Sequence, residues 1–202
     1  MQEPFSVLFS LCNLAAHQSG LAKVKRQIPE TYSLRPFYVL FGFFGTMTWI
    51  LSAIFHTRDF VVTEQLDYFA AGASVLYGLY FATVRVFRLD RNTRLLGYWT
   101  FICLSLYAAH VTYLKFWRWD YSYNMAANVT VGALHNLLWW GFSIRRFYKT
   151  GARWTLLPGL IVTWISVAMS LELLDFPPFA GALDAHSLWH LGTIAPCYMW
   201  YM

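Results

Sequence analysis

Charged residues divide this sequence into seven long runs that contain no Asp, Glu, Lys or Arg, each 17 to 24 residues long. A helix needs about 17–25 apolar residues to cross roughly 30 Å of hydrocarbon. Its backbone groups are satisfied within the segment, as lipid requires. The runs therefore predict seven transmembrane helices, at Pro4–Ala22, Pro36–Thr57, Tyr68–Val84, Leu95–Leu114, Tyr121–Ile144, Trp154–Leu171 and Ala185–Met202.

The composition excludes an ordinary water-soluble surface. Only 12% of the 202 residues are charged and 58% are hydrophobic, whereas soluble domains carry about a quarter charged residues. The loops between the runs are short, and no repeat or linker divides them. We therefore predict an all-α integral membrane protein, in which residues 1–202 form a single seven-transmembrane-helix bundle.

The basic residues predict the orientation of the bundle. Twelve of the fifteen Lys and Arg residues lie in the connections after the first, third and fifth runs. Short loops rich in Lys and Arg remain cytosolic. The amino terminus is then lumenal or extracellular and the carboxyl terminus cytosolic. The net charge of +5 is thus explained by membrane orientation, without a nucleic-acid partner.

Polar residues at membrane depth are costly and indicate functional sites. Ser52 and His56 lie four residues apart near the end of the second run, and His186 and His190 have the same spacing at the start of the seventh. Residues four apart share one face of a helix. The orientation derived from Lys and Arg alone brings both pairs to the lumenal side, together with Asp67, which precedes the third run.

Three histidines at one depth predict a metal centre. Three protein ligands and an open fourth position are typical of catalytic zinc, and imidazole suits this metal. Zinc lowers the pKa of a bound water to about 7, which prepares that water for attack on a carbonyl. We assign the ligand role to His56, His186 and His190, the proton-transfer role to Asp67, and a hydrogen-bonding role to Ser52.

Each residue of this set also has a structural interpretation. A helical histidine pair can hydrogen-bond between helices, and Ser52 can bond to a carbonyl of its own helix. Asp67 and Asp184 can cap helices. We regard Asp184 and His110 as further candidates, which would contact the ligands or the substrate rather than the metal.

Longer sequence strings resemble a known family. They are Gln2–Asn13 (QEPFSVLFSLCN), Phe55–Phe60 (FHTRDF), Leu66–Phe69 (LDYF) and Leu183–Thr193 (LDAHSLWHLGT). Together with the Ser, Asp and His pattern, they resemble the Per1-like family, also described as the post-GPI attachment to proteins factor 3 family. This family belongs to the CREST superfamily of seven-span membrane hydrolases. The resemblance runs from Gln2 to Tyr201.

The resemblance implies an activity and a location. Members of this family are zinc-dependent phospholipases of the A2 type, which hydrolyse the sn-2 acyl ester of phosphatidylinositol in GPI-anchored proteins. The expected substrate is therefore the lipid moiety of these proteins, and the expected location is the membrane of the Golgi or endoplasmic reticulum, with the active site lumenal. Family members also carry a lumenal amino-terminal segment, which we expect this chain to lack.

Two other functions remain open at this point. A ceramidase-like enzyme would use the same metal chemistry to cleave an amide. A non-enzymatic lipid sensor or receptor would hold zinc structurally, and its function would tolerate the loss of Asp67.

Overall fold

The computed structural model describes residues 3–174, 176, 178–179 and 183–201. Regular structure within these residues is helical, apart from one isolated antiparallel bridge between Phe179 and Leu183. The prediction of an all-α fold is confirmed. Gln2, from the first family string, and Met202, from the seventh predicted span, lie outside the described residues.

Within the described residues the chain forms seven α-helices, and each overlaps one of the predicted spans. They are α1 Pro4–Gln27, α2 Arg35–Thr57, α3 Val61–Phe87, α4 Thr93–Thr112, α5 Tyr121–Thr150, α6 Leu157–Leu174 and α7 Ala185–Trp200. Short 3-10 helices lie at Leu89–Arg91 and Arg153–Leu156, and a π-helical turn at Tyr113–Trp117 follows α4.

Four helical segments of the described chain are long and apolar enough to cross a membrane: Arg35–Thr57, Val61–Phe87, Thr93–Trp117 and Arg153–Leu173. The chain therefore has transmembrane character. The predicted count of seven spans is not confirmed by this criterion. Helix α1 falls below the criterion because polar residues, among them Asn13, His17 and Gln18, lower its mean hydropathy.

Six of the helices form a closed ring. Helix α1 packs against α2 and α7, α2 packs against α3, α3 against α5, α5 against α6, and α6 against α7. Helix α4 packs against α3, and Cys103 is its buried residue. The ring brings α1 into contact with α7 although these two helices are far apart in sequence.

The apolar core lies towards one end of the ring. Its cluster includes Phe37 near the start of α2, Phe81 near the end of α3 and Trp139 in the second half of α5. Because α2 and α3 are antiparallel neighbours, the end of α2 and the start of α3 lie at the opposite end of the bundle. That opposite end carries the predicted site.

Helix α3 begins earlier than predicted from the uncharged run. Its first residue is Val61, so Asp67 lies in its second turn rather than at its start, and Phe60 occupies the N-cap position. The helix can include the charged residues that precede the uncharged run. One of them, Glu64, lies in the first turn, where an acidic side chain interacts favourably with the helix dipole. The interpretation of Asp67 as a helix cap is therefore wrong.

Helix α1 presents a buried polar stripe to its neighbours. Ser6, Ser10, Asn13 and His17 are all buried, and their spacing of three or four residues puts them on one face. His17 reaches Tyr201 with a 2.9 Å hydrogen bond and lies directly against Gly45 of α2, where an added Cβ would overlap the imidazole. Close approach of α1 and α2 thus requires glycine at position 45.

We expect Gly45→Ala to destabilise the bundle by about 1–3 kcal/mol, as is usual for overpacking of a close contact. Thermal unfolding in detergent would measure the change. Gly141→Ala is the matched control, because a Cβ at Gly141 meets no atom within 4 Å and alanine has the higher helix propensity. Equal stability of the two variants would contradict the packing assigned to His17.

Candidate metal centre

Three histidines meet at the end of the bundle formed by the end of α2 and the start of α7. His56 belongs to the last turn of α2, whereas His186 and His190 lie in the first two turns of α7. One ligand nitrogen of each lies within 4.8 Å of the other two. The Nε2 atoms of His56 and His186 are 3.2 Å apart. The predicted meeting of these three imidazoles is therefore observed.

Carboxylates hold the outer nitrogens of two of these rings. His56 Nδ1 lies 2.7 Å from Glu3 Oε2, and His186 Nδ1 lies 2.6 Å from Glu172 Oε2. The pKa of Glu3 lies below its ordinary value, chiefly because its carboxylate accepts a hydrogen bond from His56. With a proton on Nδ1 of each ring, the Nε2 lone pairs face the space between the rings.

His190 is held by α1 instead of by a carboxylate. Its Nδ1 lies 3.0 Å from Ser10 Oγ and 3.3 Å from the carbonyl oxygen of Ser6. Ser10 Oγ donates its own hydrogen to the Ser6 carbonyl at 2.7 Å, so it accepts from His190. Consequently the proton of His190 also lies on Nδ1, which leaves Nε2 as its ligand atom.

This arrangement fits a zinc ion. Zinc–nitrogen bonds of about 2.0–2.1 Å in a tetrahedral site separate two ligand nitrogens by about 3.3 Å. The observed Nε2–Nε2 distance of 3.2 Å between His56 and His186 agrees with that value. In metalloproteins a histidine ligand usually donates its other N–H to a carboxylate or a carbonyl. Here the Nδ1 atoms of His56 and His186 lie 2.7 and 2.6 Å from carboxylate oxygens, and that of His190 lies 3.3 Å from a carbonyl oxygen.

Asp67 differs from the other carboxylates at this end of the bundle. It is partly buried and interacts electrostatically with His56, His186 and Glu172. Glu3 and Glu172 are already bonded to imidazoles. Within the described residues, no hydrogen bond to the carboxylate of Asp67 is present, so neither of its oxygens is occupied by an imidazole.

Ser52 lies in α2 one turn before His56 and is 4% exposed, so it is buried beside the cluster. Its Oγ is 3.1 Å from Ser10 Oγ. Because the Ser10 hydrogen is directed to Ser6, Ser52 is the donor in this pair. A bond from Ser52 to a bound molecule therefore requires rotation of its side chain.

The remaining two candidates, Asp184 and His110, make contacts with residues outside the histidine cluster. Asp184 is the N-cap of α7, and its Oδ1 accepts from the backbone N–H of Ser187 at 2.7 Å. Asp184 therefore caps α7, as expected from its structural interpretation as a helix cap. His110 lies against Tyr123, with 3.4 Å between Nδ1 and the phenol oxygen, and does not belong to the histidine cluster.

Comparison with known proteins determines the family. The family model described as the Per1-like family matches residues 1–202, the whole length of the chain. The chain belongs to the Per1-like family. No solved structure matches it significantly.

Curated relatives of this Per1-like chain cover nearly all of it. The Protein PER1 homolog of Schizosaccharomyces pombe is 42% identical over 96% of the chain and 59% of the relative. The GPI-specific phospholipase A2-like PGAP3 of Xenopus tropicalis is 38% identical over 99% of the chain and 62% of the relative. The post-GPI attachment to proteins factor 3 of Drosophila melanogaster is 39% identical over 100% of the chain and 61% of the relative. The chain spans about three fifths of the length of these relatives.

The residues that contact the three clustered histidines of this Per1-like chain were not predicted from the sequence. Glu3 and Glu172 each lie beside an uncharged run, where they resemble ordinary boundary charges. Ser6 and Ser10 did carry a signal, because two hydroxyls four residues apart lie on one helical face at membrane depth. What these residues contact depends on the packing of α1 against α2 and α7 and of α6 against α7.

Proposed function

We propose that this chain hydrolyses the sn-2 acyl ester of the phosphatidylinositol in GPI-anchored proteins, as a zinc-dependent phospholipase of the A2 type. The observation that supports this proposal best is the cluster of three histidines with their ligand nitrogens facing one another. The relatives named GPI-specific phospholipase A2-like and post-GPI attachment to proteins factor 3 support the substrate.

His56, His186 and His190 would hold the zinc ion. When bound, the ion would act as a Lewis acid and lower the pKa of a coordinated water to about 7. The protein contributes the orientation of the three rings. Its buried surroundings also strengthen electrostatic interactions with charge that develops on the ester.

Asp67 is the group we propose for proton transfer. In the reaction, the oxygen of water bonds to the acyl carbon and the bond from that carbon to the glycerol oxygen breaks. Asp67 accepts the proton of the water and returns it to the departing glycerol oxygen, as a general base and then a general acid. The products are a free fatty acid and a lysophosphatidylinositol.

Ser52 is proposed to stabilise the ester oxygen as it gains negative charge. Its hydroxyl is buried one turn from His56 and bonds to Ser10 in the free protein. Rotation away from Ser10 would point the hydroxyl at a substrate oxygen. A donor aimed at developing charge acts mainly on the transition state.

We propose that all seven helices cross the membrane of the Golgi or endoplasmic reticulum. The basic connections would be cytosolic and the histidine cluster lumenal, so that the amino terminus is lumenal and the carboxyl terminus cytosolic. A lumenal site suits a substrate whose protein and glycan parts are themselves lumenal. The bilayer then presents the acyl chains directly to the bundle.

The test is the lipid composition of GPI anchors. Cells that lack their own Per1-like protein would be transfected with this chain, and the inositol lipids released from their GPI-anchored proteins would be analysed by mass spectrometry. We expect the sn-2 chain present in the deficient cells to be removed when the chain is expressed. Unchanged anchor lipids, with the protein correctly folded and located, would contradict the proposal.

A second assay distinguishes the alternatives. Purified chain would be incubated separately with GPI-derived phosphatidylinositol and with ceramide, and released fatty acid would be measured. Release from the phosphatidylinositol alone supports the ester hydrolase. Release from ceramide alone would identify an amide hydrolase, and release from neither, with zinc bound, would favour a sensor.

A further inference from the structure

Two of the three histidines are contacted by carboxylates that come from other parts of the chain. Glu3 precedes α1 and contacts His56 of α2, whereas Glu172 belongs to α6 and contacts His186 of α7. The two glutamates are 169 positions apart in the sequence. Neither contact follows from helix periodicity, so each depends on how two consecutive helices pack, α1 against α2 and α6 against α7.

Glu3 is attached to His56 at two points. Its backbone N–H donates to the His56 carbonyl oxygen at 3.2 Å, while its side chain lies 2.7 Å from His56 Nδ1. The Glu3 carbonyl also accepts from Val7 N at 3.1 Å, which joins the residue to the first turn of α1. The position of Glu3 is therefore set by backbone bonds, and its carboxylate is directed at one ring nitrogen.

Glu172 is more deeply enclosed than Glu3. Its side chain is 11% exposed, compared with 44% for Glu3. One carboxylate oxygen bonds to His186 at 2.6 Å and the other lies 3.4 Å from the hydroxyl of Tyr121. Contacts on both oxygens limit rotation of the carboxylate and hold the His186 ring in one orientation.

We propose that Glu3 and Glu172 are positioning residues, which present the Nε2 atoms of His56 and His186 to the metal by accepting the Nδ1 protons. This inference rests on the proposed zinc site. An acceptor on Nδ1 selects the tautomer, fixes the plane of the ring and increases the basicity of Nε2. Glu172 contributes more than Glu3, since solvent weakens the electrostatic effect of an exposed carboxylate.

Zinc affinity of the full chain in detergent tests this assignment. Zinc would be titrated against a chromophoric chelator with the parent protein and with Glu3→Ala, Glu3→Gln, Glu172→Ala and Glu172→Gln. Loss of such a partner typically weakens metal binding about 10–100-fold. We expect Glu172→Ala to weaken zinc binding by close to the upper limit of this range and Glu3→Ala by close to its lower limit. The Gln variants retain an acceptor oxygen and should lose less.

Glu64→Ala is the matched control. Glu64 lies in the first turn of α3, and its carboxylate bonds to Trp119 Nε1 at 3.2 Å rather than to a histidine. Its removal should leave zinc affinity within about twofold of the parent, below the range for a ligand partner. The thermal unfolding of each metal-free variant would be measured in parallel, and the absorption spectrum of bound Co²⁺ would report the ligand geometry.

The outcomes separate this inference from the proposed function. Weaker zinc binding with a shifted Co²⁺ spectrum, at unchanged metal-free stability, supports the positioning role. If the glutamate variants bind zinc as tightly as the parent protein, the positioning role is overturned and the proposed zinc site stands. Reduced stability with unchanged zinc affinity would assign the glutamates to folding alone. A parent that binds no zinc would overturn both.

Discussion

Replacement of His186 by alanine is expected to remove bound zinc and lipid hydrolysis together. In the proposed site His186 supplies one of three ligand nitrogens, and two imidazoles do not complete the three-ligand set of a catalytic zinc site. The loss of affinity should exceed the roughly 10–100-fold that follows from removal of an outer hydrogen-bond partner. Metal analysis of the purified protein and release of fatty acid from phosphatidylinositol would be measured on the same sample.

His135→Ala is the control for the loss of a buried ring. His135 bonds to Asn136 at 2.9 Å and to Trp139 at 3.0 Å, and it does not belong to the histidine cluster. This variant should lose some stability and retain zinc. Full hydrolysis by a His186→Ala protein without zinc would refute the metal mechanism, because the reaction would then proceed without the ion.

Asp67→Asn is expected to retain zinc and lose turnover by about 10²–10⁴-fold, the usual contribution of a general base. The amide has nearly the shape of the carboxylate but cannot accept the proton of water. Asp67 interacts with His56 and His186 electrostatically and is not one of the three clustered metal-binding candidates. Zinc content and the rate of fatty acid release would therefore change independently.

Glu64→Gln controls for the loss of a carboxylate from the same helix end, three residues before Asp67 in α3. It should leave both zinc content and turnover unchanged. Undiminished turnover in Asp67→Asn would transfer the proton role to another group. Loss of zinc in Asp67→Asn would instead make Asp67 a ligand. Lipid signalling that is unaffected in this variant, in the absence of hydrolysis, would favour the lipid sensor.

The sequence allowed the clustered histidines to be predicted because their signals are local. His186 and His190 are four residues apart on one helix, and His56 has the same relation to Ser52. The distribution of Lys and Arg then brought both pairs to one side of the bilayer. The start of α3 was less predictable, since the uncharged run that begins at Tyr68 omits the first two turns of the helix.

The bonds that orient the rings were not predictable in the same way. Glu172 and His186 lie on consecutive helices, but only the packing of α6 against α7 brings the carboxylate to Nδ1. Ser10 and His190 are 180 residues apart and meet because α1 and α7 are neighbours in the ring. Such contacts have no periodicity that a single sequence records.

By itself, the sequence determined that the chain forms apolar helices, and it determined which imidazoles share a helical face. Both properties arise from residues within a few turns of one another, where hydropathy and helix geometry suffice. The tertiary structure alone decided how closely the three rings approach one another, which of their nitrogens face each other, and that Glu3, Glu172 and Ser10 contact their Nδ1 atoms. Hydrogen bonds require atoms within about 3 Å, and only the packing of whole helices against one another brings these residues that near.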